Sequence, residues 1–209
     1  MKHSENINDL IALNPDYIGF IFYSKSKRFV DKIDAQIIES IPLTTKKTGV
    51  FVDESATVIL NHIKKYQLQA VQLHGSESPE MCSQIANSGV EVIKAFGIDD
   101  AFHFGELQPY LDCVDYFLFD TKTKVHGGSG LTFNWQVLEK YKYTKPYFLS
   151  GGLGLENIDM VLEINDDRLY AVDLNSCFEV EPAIKDIEKL KLAIYKLRPI
   201  LEQIKKYEL

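Results

Sequence analysis

Tyr147-Phe148-Leu149-Ser150-Gly151-Gly152-Leu153 is the stretch on which the fold is decided. Three bulky apolar residues in succession predict a short strand buried on both faces, the pattern of a parallel sheet. A hydroxyl and two glycines then predict a tight turn, and a helix is expected to open at Glu156-Asn157. The same order of apolar run, polar turn and helical spacing repeats to either side. Upstream, strands are predicted at Tyr17–Tyr23, Lys47–Val52, Ala70–Leu73, Glu91–Phe96 and Tyr116–Phe119; downstream, one is predicted at Ala171–Leu174. In the last helix Ile187, Leu190, Ile194, Leu197 and Leu201 share a stripe, with Pro199 placed to kink or end it. Two helix starts carry caps, Ser78 before Pro79 and Asn134 before Trp135.

Unbroken alternation, without a linker or low-complexity segment, predicts one domain over residues 1–209, within the usual domain size. It admits a closed eightfold barrel or an open doubly wound sheet. A helix at Ser4–Leu13, with Ile7, Leu10 and Ile11 on one face, precedes the first predicted strand, giving seven strands and eight helices. A closed (β/α)8 barrel needs a strand ahead of that helix, and Met1-Lys2-His3 is too short to supply it. The expected fold class is therefore α/β, a (β/α)8 TIM barrel lacking its first strand. Tyr17–Tyr23 and Ala171–Leu174 would each be short of a neighbour, a liability for apolar edges.

The 45% apolar composition is enough to fill the core of such a domain. A formal charge of −7 and a pI near 5.3 argue against a nucleic-acid partner but not against a small anionic substrate held at a local positive site. The apolar runs are far shorter than the ~20 residues that cross a bilayer, and no signal peptide opens the chain. Cys82, Cys113 and Cys177 are odd in number and widely spaced, as in a reduced, cytoplasmic protein. No cluster has metal-ligand spacing and no dinucleotide fingerprint follows an early strand, so neither a metal nor a cofactor is expected.

Barrel enzymes of this kind work at the C-terminal ends of their strands. Those positions hold Arg28 with Lys25, Ser26 and Lys27, then His74-Gly75, then Asp120-Thr121-Lys122 with Gly127–Gly130, then Ser150-Gly151-Gly152 and Asp173–Ser176. Gly151, Gly152, Asn175 and Ser176 occupy the two loops that usually cradle a phosphate. The plain alternative for the glycines is a tight turn. Asp120 ends an apolar run and is a candidate general acid or base, against a helix cap or a salt bridge to Lys122 or Lys124. The Arg28 fork suits a carboxylate, against a solvated basic loop. His74 reads as a polar contact or proton-transfer group, against a satisfied structural histidine. Gly127–Gly130 reads as a substrate loop or an ordinary one.

Taken together these stretches resemble the phosphoribosylanthranilate isomerase family of tryptophan biosynthesis. The resemblance runs through Gly19–Tyr23 with Lys25–Arg28, Gly49–Val52, Val71–Gly75, Asp120–Lys122, Gly127–Gly130 with Phe133–Trp135, Ser150–Leu153, and Asp173–Ser176 with Pro182 and Lys185-Asp186. It implies a cofactor-free Amadori rearrangement of N-(5-phosphoribosyl)anthranilate into the 1-amino-1-deoxyribulose 5-phosphate. By matched position Asp120 would be the general acid, and Arg28 would hold the anthranilate carboxylate. Gly151, Gly152, Asn175 and Ser176 would hold the phosphate, with His74 and Asp173 lining the mouth. The phosphorylated small molecule would be the partner of a monomer or homodimer.

Three departures accompany the resemblance. The family base is a cysteine at the end of the first strand, and Met1-Lys2 aligns with the end of that segment. The resemblance thus implies poor turnover by the 209 residues, since one proton-transfer group is worth ~10²–10⁴-fold. Cys177 stands where many relatives have glycine and is a candidate replacement base. Ala183 likewise stands at a usual glycine. Alternative readings are a non-catalytic phosphosugar-binding barrel, or another phosphate-binding barrel enzyme such as indole-glycerol-phosphate synthase or ribulose-phosphate epimerase. The epimerase would need metal-ligand histidines, and the synthase an early catalytic lysine, for which Lys94 is the candidate.

Overall fold

The computed structural model describes residues 2–122 and 132–205. Each predicted apolar run forms a strand: β1 (Tyr17–Ile21), β2 (Lys46–Phe51), β3 (Ala70–Leu73), β4 (Glu91–Ile98), β5 (Tyr116–Thr121), β6 (Tyr147–Leu149) and β7 (Leu169–Val172). They pair in sequence order, every ladder parallel, so all seven C-terminal ends open on one side. The connections are α1 (Ser4–Ile11) ahead of β1, then α2 (Ala35–Ser40), α3 (Ala56–Tyr66), α4 (Pro79–Ala86), 3-10 segments Phe104–Tyr110 and Trp135–Lys140, α5 (Ile158–Val161) and α6 (Ile187–Lys205).

Caps set the helix starts as the residue types predict. Ser55 and Ser78 accept the N–H three residues on, and Asp34 and Asn134 the N–H two residues on. Pro199 lies inside α6, which runs through it rather than ending there. Period-two alternation sorts the strand residues between two faces. Outward-facing Phe117 and Phe119 pack with Phe104, Tyr141 and Tyr147 beneath the helical layer, their rings meeting at 5.0–6.3 Å. On the inner face Ala70, Ile93, Ala95, Leu118 and Phe148 form a second, smaller core.

Several boundaries differ from the sequence reading. β1 stops at Ile21, although Phe22 still donates to the Val50 carbonyl. β4 and β5 run longer, which brings Asp120 inside β5, paired in register with Gly97. β7 begins two residues earlier and ends at Val172, leaving Asp173 and Leu174 to the loop. Beyond it lies a short antiparallel hairpin that alternation did not signal, β8 (Glu179–Glu181) with β9 (Ile184–Lys185).

β1 and β7 are the two ends of the sheet. A cavity of about 560 Å³ starts at the C-terminal mouth and reaches between them to Leu10 of α1 and Ile194 and Leu197 of α6. The seven-strand count is thus the one read from sequence.

Candidate active site

Asp120 shares its face of β5 with Leu118 and Tyr116, so the alternation that buries Leu118 aims the carboxylate into the mouth. The Thr121 N–H donates to its Oδ1 at 2.8 Å. Its Oδ2 lies 3.3 Å from His74 Nε2. His74 extends the β3 ladder through its N–H to the Phe51 carbonyl at 2.8 Å. Its Nδ1 lies 2.9 Å from Gln72 Oε1, two residues back on the same face. Gln72 thereby fixes the orientation of the His74 ring. Of the alternative partners predicted for Asp120, Lys122 pairs instead with Asp99 at 2.8 Å, and Lys124 lies outside the described residues.

Gly151 packs against this acid. Its φ is +90°, and a methyl group there would stand 2.6 Å from Asp120 Oδ1 and 2.5 Å from the Thr121 nitrogen, so only glycine fits. Gly152, at φ +62°, follows in the same turn. Asn157 holds that turn with both ends of its amide, donating to the Gly152 carbonyl and accepting the Gly154 N–H, each at 2.9 Å. The helix expected at Glu156-Asn157 is a single turn, Ile158–Val161, too short to aim much of a dipole at an anion.

Asp173 continues the β7 line with its N–H on the Leu149 carbonyl, and its carboxylate accepts from Ser150 Oγ at 3.5 Å. Burial pushes this carboxyl above the ordinary value near 3.8, with Asp120 reinforcing and Lys185 opposing. A carboxyl so raised binds its proton more tightly folded than unfolded. The folded state then loses stability as pH climbs from about 3.8 through the elevated folded value. Asp173→Asn removes the titration and is expected to flatten that decline, as read from urea midpoints across the acidic to neutral range.

Arg28 is neither solvated nor waiting. Its Nε and Nη2 grip Glu179 at 2.6–2.9 Å. Lys185 is buried between that glutamate and the loop after β7, donating to the Leu174 and Asn175 carbonyls and to Asn175 Oδ1. Its burial pulls the ammonium below the usual lysine range, with Glu179 opposing. Lys94, the candidate catalytic lysine, does not line the cavity. It is 2% exposed, pairs with Glu77 at 3.1 Å, and donates to the Leu73, Gly75 and Ala95 carbonyls.

One cavity thus brings together Arg28, His74, Asp120, Gly151, Gly152, Asp173, Asn175 and Ser176. Gly127–Gly130 lies outside the described residues. Sequence reasoning quoted Gln72, Ser150 and Lys185 within longer stretches without giving them a role and did not single out Glu179; all four line the same cavity. Gln72 and Ser150 had a usable signal, being in phase with His74 and Phe148 on inward faces. Cys177 is absent from the lining and packs, partly buried, against the apolar core. Cys82 and Cys113 are buried away from the cavity, and burial pushes the Cys82 thiol up to about 12. Among the described residues no group of three or more His, Cys, Asp or Glu could hold a metal.

Residues 1–196 match the family model described as N-(5'phosphoribosyl)anthranilate (PRA) isomerase. The N-(5'-phosphoribosyl)anthranilate isomerase of Parabacteroides distasonis is 42% identical over 97% of this chain and 93% of its own. That of Thermotoga maritima is 39% identical over 86% of each. The crystal structure of the Thermotoga maritima isomerase superposes with a TM-score of 0.84 at 35% identity, covering 95% of this chain and 96% of its own. An isomerase solved with reduced 1-(o-carboxyphenylamino)-1-deoxyribulose 5-phosphate superposes at 0.79 with 32% identity, covering 94% of each chain. With an inward carboxylate, a histidine partner, the Gly151-Gly152 turn and the Asn175-Ser176 loop on one mouth, the chain belongs to the N-(5'-phosphoribosyl)anthranilate isomerase family.

Proposed function

We propose that this chain is an N-(5'-phosphoribosyl)anthranilate isomerase acting without a cofactor in cytoplasmic tryptophan biosynthesis. The observation that carries the reading is the shared cavity, in which the Asp120–His74 pair abuts Gly151 and faces the loop of Asn175 and Ser176. Gly151, Gly152, Asn175 and Ser176 take the phosphate, and Arg28, whose Nε–Nη2 edge is held by Glu179, takes the anthranilate carboxylate through Nη1. Asp120 gives a proton to the ribose ring oxygen. The C1′–O bond breaks, and the anilino nitrogen lone pair closes a Schiff base. Removal of the C2′ proton sends electrons back to that nitrogen as an enolamine, which tautomerises to the 2′-ketone. His74, oriented by Gln72, contacts Asp120 Oδ2 and positions that carboxyl at the ring oxygen.

Of the two proton transfers, Asp120 accounts for the first. Among the described residues no thiol lines the mouth to perform the second, so substrate binding is expected to outrun chemistry. The test is single-turnover fluorescence with phosphoribosylanthranilate and enzyme in excess. The expected rate is ~10²–10⁴-fold below that of a complete acid–base pair, unchanged by Cys177→Ser. Turnover at an ordinary enzyme rate of ~10 s⁻¹ would place a base among the present residues. A rate lost with Cys177→Ser would make that base Cys177. The Thermotoga maritima isomerase has been solved as monomers generated from a dimeric protein, and we propose a monomer or homodimer here.

A further inference from the structure

The hairpin after β7 carries two buried charges that the proposed reaction does not itself use, Glu179 and Lys185. Glu179 is 4% exposed at its side chain and Lys185 10%. Isolated charges at that depth are strongly unfavourable, so each must be met by specific partners. Glu179 meets the Arg28 guanidinium and the Ala183 N–H at 3.1 Å, and lies 3.6 Å from Lys185 Nζ. Ala183 sits at φ +75°, in the left-handed region that favours the glycine usual there. Lys185 spends its ammonium hydrogens on one segment: the Leu174 carbonyl at 3.3 Å, the Asn175 carbonyl at 3.1 Å and Asn175 Oδ1 at 2.9 Å. Its own backbone is fixed from the other side, because the Asn6 side chain accepts its N–H at 2.7 Å and donates to its carbonyl at 2.9 Å.

Leu174 and Asn175 belong to the loop proposed to hold phosphate. An ammonium bonded to carbonyl oxygens of such a loop does two things. It draws those oxygens away from the ligand's side of the peptide groups, where they would repel an anion. It also adds a full positive charge beside the site, in surroundings where charge acts strongly. We propose that Lys185 is a positioning residue that makes the loop after β7 selective for a phosphorylated ligand, and that Glu179 couples it to Arg28. The proposal rests on the placement of phosphate at Asn175 and Ser176. Because the phosphate contacts do not depend on what the rest of the ligand is, it can be tested apart from the isomerase reading.

Two probes separate the questions: inorganic phosphate, followed by ³¹P NMR titration, and the pair of reduced 1-(o-carboxyphenylamino)-1-deoxyribulose 5-phosphate and its dephosphorylated form. For Lys185→Met, phosphate affinity is expected to fall about tenfold or more, the usual scale for losing a charged hydrogen-bonded group. The preference for the phosphorylated over the dephosphorylated ligand should fall by a similar factor, while affinity for the dephosphorylated form changes less than about threefold. Lys185→Arg, which keeps the charge and donors, should recover most of the preference and guards against a folding defect in the methionine variant. Equal losses for both ligands, or phosphate affinity untouched in Lys185→Met, would overturn the proposal, as would a wild-type chain that binds no phosphate. A wild-type chain that binds phosphate through Lys185 but neither aryl ligand would leave Lys185 in place and overturn the isomerase reading instead.

Discussion

Asp120→Asn is expected to lower single-turnover kcat/KM by about 10²-fold or more while changing affinity for the reduced product analogue by less than about threefold. The amide keeps the shape of the carboxyl and can still accept the Thr121 N–H that fixes Asp120 at 2.8 Å. It cannot deliver a proton to the ring oxygen. The loss belongs at the lower end of the usual range because an acid and a base act as a unit, and removing one where the other contributes little costs less than the first removal. A second substitution at the same place acts through geometry. Gly151→Ala would set a methyl 2.6 Å from Asp120 Oδ1, so it should displace the same acid and lose turnover as Asp120→Asn does, while also weakening the analogue because Gly151 belongs to the proposed phosphate turn. Stopped-flow fluorescence of both variants, with the analogue titration as control, checks the pair.

Lys94→Met is expected to destabilise the chain by about 3–5 kcal/mol, the usual cost of stranding one member of a buried ion pair. For a domain of this size that corresponds to a Tm lower by roughly 6–20 °C. The partner left behind is Glu77, 1% exposed at its side chain. Glu77 also accepts the N–H groups of Asp53 and Gly75, at 2.9 Å and 3.0–3.1 Å, and so ties the loop after β2 to the loop after β3. Glu77→Gln in the Lys94→Met background keeps an acceptor for those bonds and removes the stranded charge, so it should restore a good part of the loss. Because Lys94 lies outside the mouth, the folded Lys94→Met protein should bind the product analogue like the wild type. An unchanged Tm with lost turnover would instead give Lys94 the catalytic role that its place near a strand end raised.

These two sites also show what was legible in the sequence. The strand runs were legible because residues buried on both faces are mostly apolar in succession, as in Tyr116–Phe119 and Tyr147–Leu149. Asp120 was legible for the same reason, as the first charge to follow such a run. The limits of β7 were not, because Leu174 is apolar yet lies in the loop, while Leu169 and Tyr170 form the strand start behind the charged Arg168. The charge partners were illegible. Arg28 finds Glu179 at a separation of 151 residues, and Lys94, inside β4, finds Glu77 in the loop after β3. No local spacing encodes either pair, since both exist only once the strands are side by side. The Glu179–Lys185 hairpin is too short and too polar to show a period. Its single cue, an alanine where relatives use glycine, marked the left-handed turn at Ala183 without revealing what the turn presents.

The most direct test of the account is a calorimetric titration of the 209-residue chain with reduced 1-(o-carboxyphenylamino)-1-deoxyribulose 5-phosphate. The account predicts one site per chain, weakened when Arg28 is replaced by methionine and weakened by Lys185→Met, the two effects being non-additive because Glu179 joins the two side chains. Saturation with no response to either substitution would move the ligand out of this cavity. No binding at millimolar ligand would contradict the isomerase reading outright.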